Sequence, residues 1–318
     1  MSIELNRILV VIDPTLQEQP CMIRACELAR KFDAALELFI CDYNQYLSGE
    51  RFFDSPGLKK SRDSFIEDRR ERLENEAKRL GAAGYKVSYD ACWDYPLHDG
   101  IVRKVLASKP DLVIKDTHRH GKIQRSLFTN TDWHLVRDCP VPLMLTKLAA
   151  DTERRTIAAA VDPLNEHDKP ASLDHQILRY ARGLAVGLGT VYHVAHSYNP
   201  VAITTAAGAP AMQTAGAGLP IDDIEAGVRA EHERGLKKLL DSYDLPEDHV
   251  HLLSGATHDS LENFVESVEA RLLVMGALAR HAIKRIFVGS TAEKVLGDVN
   301  CDVLVLKPDG FVSPVEAD

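Results

Sequence analysis

One design is written twice along this chain. Arg7-Ile8-Leu9-Val10-Val11-Ile12-Asp13-Pro14 is an apolar run ending in Asp-Pro, and Thr156-Ile157-Ala158-Ala159-Ala160-Val161-Asp162-Pro163 repeats it. Late in each half Asp111-Leu112-Val113-Ile114-Lys115 is answered by Arg271-Leu272-Leu273-Val274-Met275. The halves close on Pro142-Leu143-Met144-Leu145-Thr146-Lys147 and Asp302-Val303-Leu304-Val305-Leu306-Lys307. Landmarks recurring in one order mark a duplicated unit. The 318 residues suffice for two ordinary domains. Their expected spans are 1–150 and 151–318, with the boundary near Leu148–Arg155.

Between the landmarks the hydrophobic period alternates. Residues 18–32 and 170–188 read as amphipathic helices, and Leu36–Asp42 and Val191–His196 as short strands. Lys60–Leu80 and Ile221–Tyr243 read as long charged helices, followed by the strands Lys86–Ala91 and His249–Ser254. Third helices fall near 97–108 and 259–269, and last helices near 131–139 and 291–299. Strand and helix in strict alternation imply right-handed crossovers and a parallel sheet covered on both faces. Asn44–Leu58 and Asn199–Leu219 occupy matching places after the second strands and read as surface loops rather than lids.

Composition narrows the function. A formal net charge of -9 argues against non-specific nucleic-acid binding, which needs Lys and Arg to neutralise phosphates. No apolar run approaches the roughly 20 residues that span a bilayer. The start, Met1 to Arg7, lacks a secretory pattern, so a cytoplasmic protein is expected. Six cysteines show no C-x-x-C pair; most lie in apolar stretches and are expected to be reduced, buried hydrophobes.

Open parallel sheets take ligands at the carboxyl ends of their strands. That places Asp13 and Asp162 at the mouth of each unit. The segment after the fourth strand of the second half, Gly276 to Thr291, begins with small residues and ends Gly289-Ser290-Thr291 at a helix start. Unpaired backbone N–H groups there attract anions, Gly289 permits close approach, and Ser290 and Thr291 add hydroxyl donors. Arg280, His281, Lys284 and Arg285 make this loop basic within an acidic chain.

Gly276, position 279 and Gly289-Ser290 fall on the spacing Gly-x2-Gly-x9-Gly-(Ser/Thr), and the stretch resembles the nucleotide motif of universal stress proteins. Leu273-Val274-Met275-Gly276, Cys301-Asp302-Val303-Leu304-Val305 and Gly255 also look like that family. The doubled length, the Asp-Pro strand ends and Thr131-Asp132-Trp133-His134 resemble its tandem type. The resemblance implies two Rossmann-like domains of the adenine nucleotide alpha hydrolase-like kind. Each would have a five-stranded parallel sheet of order 3-2-1-4-5 with helices on both faces. The final strands Leu143–Thr146 and Val303–Leu306 would meet in an intrachain pseudo-dimer and shield each other's edges. Whole chains pairing as a homodimer is a further expectation.

The same resemblance implies ATP or another adenine nucleotide as a small-molecule ligand of the second domain, with Mg as a candidate companion. Asp162 would lie near the ribose or a phosphate-bound metal, and Val194 would offer backbone groups to adenine. Gly276, Ala279, Gly289, Ser290 and Thr291 would hold the phosphates. Ala279 departs from the pattern, since a Cβ is costly wherever φ is positive. The first half has Asp116-Thr117-His118-Arg119 and Thr129-Asn130-Thr131 instead, a degenerate phosphate loop. Its weaker candidates are Asp13, Thr129, Asn130 and Thr131, of which the last three also suit a helix cap.

Other readings stay open beside this one. Asp162, Ser290 and Thr291 also suit turns and N-caps without any ligand, and the glycines suit crowded strand ends. His118, His120 and His134 form a weak metal pattern, and no metal site is expected. The aromatics in Trp93-Asp94-Tyr95-Pro96-Leu97-His98 suit an apolar plug better than a stacking platform. No G-x-S-x-G, H-E-x-x-H or G-x-x-x-x-G-K-[ST] motif occurs, so no catalytic residue is assigned. Ligand sensing in a stress response is the leading expectation. A nucleotide-independent scaffold for an apolar metabolite or protein partner competes with it. So does a weak ATPase or self-phosphorylation at Ser290 or Thr291.

Overall fold

A computed structural model describes residues 3–16, 19–48, 56–117, 128–147, 153–164, 171–200, 221–277 and 290–317. The chain separates into two compact units, one of 2–150 together with 302–318, the other of 151–301.

The first unit follows the expected alternation. Its elements are β1 (Arg7–Val11), α1 (Pro20–Phe32), β2 (Ala35–Asp42), α2 (Pro56–Ala82), β3 (Val87–Trp93) and α3 (Leu97–Ser108). β4 (Leu112–Asp116), α4 (Asn130–Asp138) and β5 (Leu143–Thr146) complete it. The strands run in the order β3-β2-β1-β4-β5, all parallel. Ile8, Leu9, Val10, Leu36, Leu38, Val113 and Ile114 are buried, as strands covered on both faces require. α1 buries Cys21, Met22, Ala25, Leu28 and Ala29, and stops where Asp33 turns left-handed at φ 54. α2 buries only Ile66, Leu73 and Leu80, a seven-residue repeat that leaves its charged remainder outside.

The second unit repeats the plan with β6 (Thr156–Val161), α5 (Ala171–Leu188), β7 (Tyr192–Tyr198), α6 (Ile221–Leu240) and β8 (Val250–Ser254). α7 (Thr257–Ser267), β9 (Ala270–Gly276) and α8 (Ser290–Asp298) follow. Its strands run β8-β7-β6-β9, all parallel, which is the 3-2-1-4 part of the expected order. Ala158 and Ala159 keep β6 thin, and α5 lays Leu173, Ile177, Leu178 and Ala181 into the core. The last strand, β10 (Asp302–Leu306), falls within the first unit. It pairs antiparallel with β5, Val303 opposite Leu145 and Val305 opposite Leu143, so the β5 edge is covered as expected.

Candidate functional site

Corresponding positions in the two units follow from register. Val10 pairs with Leu38 in β2 and Ile114 in β4; Ala159 pairs with Val194 in β7 and Val274 in β9. Continuing each strand makes Ile40 equivalent to His196, Cys41 to Ser197, and Asp116 to Gly276. These residues lie at the carboxyl ends of the strands, where a parallel sheet opens to ligands.

In the second unit Asp162 leaves β6 at that mouth, and its N–H donates to Asp174 Oδ1 of α5 at 3.0 Å. Asp174 is 1% exposed. Beside it His196 is held between β7 and α6: Nδ1 lies 3.1 Å from the Val161 carbonyl, and Nε2 lies 2.7 Å from His232 Nδ1. A carbonyl only accepts, so His196 Nδ1 carries its proton and Nε2 accepts from His232. The Tyr198 ring stacks on His232 at 4.8 Å. Burial holds His196 below the usual histidine value, opposed by its bond to Val161 and by Asp162. This imidazole pair beside two aspartates was not foreseen. Its signal was the even spacing of His196 from the strand interior, which points the ring at α6.

The structure places the expected nucleotide residues unequally. Asp162 is partly buried at the mouth and Gly276 ends β9. Ser290 opens α8 with Thr291 next in the helix, so backbone N–H groups start where expected. Ala279 and Gly289 lie outside the described residues, as do Arg280, His281, Lys284 and Arg285. Val194 sits in mid-strand, fully buried, paired with Ala159 on one side and Val250 on the other. Its backbone groups therefore belong to the ladder, and His196 and Ser197 are the β7 residues at the mouth. Ser197 Oγ is buried with no hydrogen-bond partner among the described residues. A Cβ on Gly276 would stand 2.6 Å from Leu173 Cδ2, so this glycine lets α5 close on the sheet.

In the first unit the weaker candidates are engaged locally. Asp13 Oδ1 accepts from the Thr15 N–H at 2.8 Å and the Thr15 hydroxyl at 2.6 Å. Thr129 caps α4 in a reciprocal box with Asp132. Asn130 and Thr131 form the first turn behind it. Asp132 also accepts from Lys115 Nζ at 2.8 Å, a buried ion pair that fixes α4 to β4. Asp116, in the place of Gly276, turns onto α1, where Oδ1 accepts from the Cys21 N–H at 2.7 Å and from Thr146. Its Oδ2 is buried with no partner among the described residues, and burial pushes the carboxyl up. A carboxylate at this point repels a phosphate.

Tyr43, Trp93, Tyr95 and Phe65 gather at the same end, with ring centroids 4.6 to 5.7 Å apart and Arg69 over Phe65 at 4.5 Å. Trp93 is half-buried within this packing, as a plug requires. His134 stacks on His98 at 3.8 Å, while His118 and His120 lie outside the described residues. Among the described residues no group of three or more His, Cys, Asp or Glu side chains is arranged to hold a metal ion. No described helix is long and apolar enough to cross a membrane.

Two tandem parallel α/β units with polar strand-end mouths define the class of the fold. The universal stress protein family model matches residues 4–147 and again 153–307, and the chain belongs to that family. Universal stress protein E of Escherichia coli strain K12 is 27% identical over 314 residues, covering 98% of this chain and 97% of the relative. A universal stress protein E homolog from Haemophilus influenzae is 25% identical, covering 95% and 97%. Among solved structures, a functionally unknown protein from Pseudomonas aeruginosa PAO1 superposes with a TM-score of 0.73 at 24% identity, covering 96% and 93%. A universal stress protein from Archaeoglobus fulgidus does so at 0.65 and 17% identity, covering 96% and 99%. Both likenesses concern the fold.

Proposed function

We propose that this chain is a stress-response ligand sensor that binds an adenine nucleotide in its second unit and not in its first. The observation that carries the reading is the exchange of Gly276 for Asp116 at equivalent strand ends. One mouth offers an uncharged backbone and the start of α8; the other offers a buried carboxylate locked to α1. Asp162 accepts ribose hydroxyls in this reading, and the Ser197 hydroxyl, without a partner among the described residues, supports a polar contact at the end of β7. Gly289, Ser290 and Thr291 remain the expected phosphate cradle. Asp162 is the carboxylate we assign to a phosphate-bound Mg ion, since it stands where β6 ends at the mouth.

One observation favours a second reading. Leu173 fills the space above Gly276, so that glycine also serves a nucleotide-independent scaffold. The proposed setting is cytoplasmic. Denaturing undialysed, purified protein and weighing the released small molecules separates the readings. The sensor predicts about one adenine nucleotide per chain. An empty protein that also ignores added ATP and AMP favours the scaffold.

A further inference from the structure

The first unit has a feature that the nucleotide reading does not use. β2 and β3 run parallel with Cys41 directly opposite Cys92. Alternation puts Glu37, Phe39 and Cys41 on the face beneath α3, beside Ser88, Asp90 and Cys92. Lys104 of α3 confirms that face by reaching Glu37 at 2.7 Å and Asp90 at 2.9 Å. The Cys41 thiol donates to the Asp94 carbonyl at 4.0 Å. Cys41 is buried and Cys92 half-buried, so Cys92 is the more accessible residue of the pair. The second unit has Ser197 and Leu253 at these places, so the pair is particular to the first mouth.

We propose that Cys41 and Cys92 form a reversible dithiol–disulfide site that responds to peroxides. Neighbouring strands lie about 4.8 Å apart, inside the Cα separation of about 4.4–6.8 Å that a disulfide spans. Closing the bond therefore needs side-chain movement but no displacement of a strand.

The chemistry divides between the two sulfurs. The more accessible Cys92, as thiolate, attacks one peroxide oxygen; an S–O bond forms, the O–O bond breaks, and the departing hydroxide takes up a proton as water. Cys41 sulfur then attacks the sulfenic sulfur of Cys92. The S–S bond forms, the S–O bond breaks, and hydroxide leaves with the Cys41 proton as a second water. Two thiols are oxidised by two electrons, and one peroxide is reduced to two waters. The neighbouring Cys92, burial and the nearby Asp94 and Asp42 push the Cys41 thiol up, so Cys41 holds its proton and is not the sulfur that meets peroxide first.

The test uses the full chain with hydrogen peroxide, thiol counting and peptide mapping before and after dithiothreitol. Of six cysteines, four should stay free, one cross-linked peptide should join Cys41 to Cys92, and reductant should restore all six. Cys92→Ser and Cys41→Ser should each abolish that peptide, with circular dichroism checking their fold. If either variant misfolds, the wild-type map alone decides the pairing. Six unreacted thiols, a bridge between other cysteines, or Cys92 driven to sulfinic acid beside a free Cys41 would each overturn the proposal.

Discussion

Arg24 Nε donates to Asp302 Oδ2 at 2.7 Å, joining α1 to a strand 278 residues further along the chain. Asp302 Oδ1 also accepts from the Lys147 N–H at 3.0 Å. The two side chains are 12% and 3% exposed, so the pair is shielded from water. A shielded pair is most costly when only one member is removed. Arg24→Ala should thus destabilise the first unit by about 3–5 kcal/mol, because it removes one member of a shielded, hydrogen-bonded ion pair. Trp93 and Trp133 both lie in this unit, so urea unfolding followed by tryptophan fluorescence reads it selectively. An unchanged midpoint would show that β10 is not anchored through Arg24.

α3 packs closely on the thiol pair. A Cβ at Gly100 would stand 2.6 Å from Cys41 Sγ and 2.7 Å from Asp94 Cβ. Gly100→Ala should cost about 1–3 kcal/mol by overpacking, although alanine is the better helix former. The same fluorescence experiment reads it. A stabilised variant would mean that α3 yields easily at this contact.

Burial raises the Asp116 carboxyl above its ordinary value, so the fold favours its protonated form. The stability this group contributes is present at low pH and lost as pH rises through its folded-state value. Asp116→Asn fixes a neutral side chain there. Its unfolding midpoint relative to wild type should therefore be more favourable at pH 7 than at pH 4.5. Parallel midpoints across that range would show that Asp116 carries no burial cost.

His196 has the opposite sign. Burial lowers its value, so the neutral form stabilises the second unit, and that contribution falls as pH drops through the unfolded value of about 6.5. The groups around it are His232, Tyr198, Asp162 and Asp174. Scanning calorimetry from pH 7.5 to 5 should show the second unit weakening, and His196→Gln should flatten the slope. Equal slopes would place the sensitive group elsewhere.

Much of the fold was legible because the repeat supplied two readings of every element. The β4 and β9 landmarks, the long charged helix and the Asp-Pro strand ends each appeared twice, and the structure places all of them as strands, helices and mouths. The β7 strand runs to Tyr198 rather than stopping at His196, because the polar His-Ser-Tyr ending hides a strand whose partners supply the burial. The site was less legible. Asp174 and His232 reach Asp162 and His196 only through tertiary packing, and spacing along the chain carries no trace of it. Cys41 and Cys92 are 51 positions apart and meet through strand register, which a search for short cysteine motifs does not see. Val194, which the resemblance assigns to adenine, lies in mid-strand between Ala159 and Val250, and what its backbone meets depends on packing that the chain's spacing does not carry.

The division of labour between the mouths is tested most directly by calorimetric titration of ATP into wild type, Asp162→Ala and Asp13→Ala. One site per chain is expected, weakened about tenfold or more by Asp162→Ala, a loss of roughly 1.4 kcal/mol. Asp13→Ala should leave it unchanged. Binding lost in Asp13→Ala and kept in Asp162→Ala would contradict the account by placing the nucleotide in the first unit.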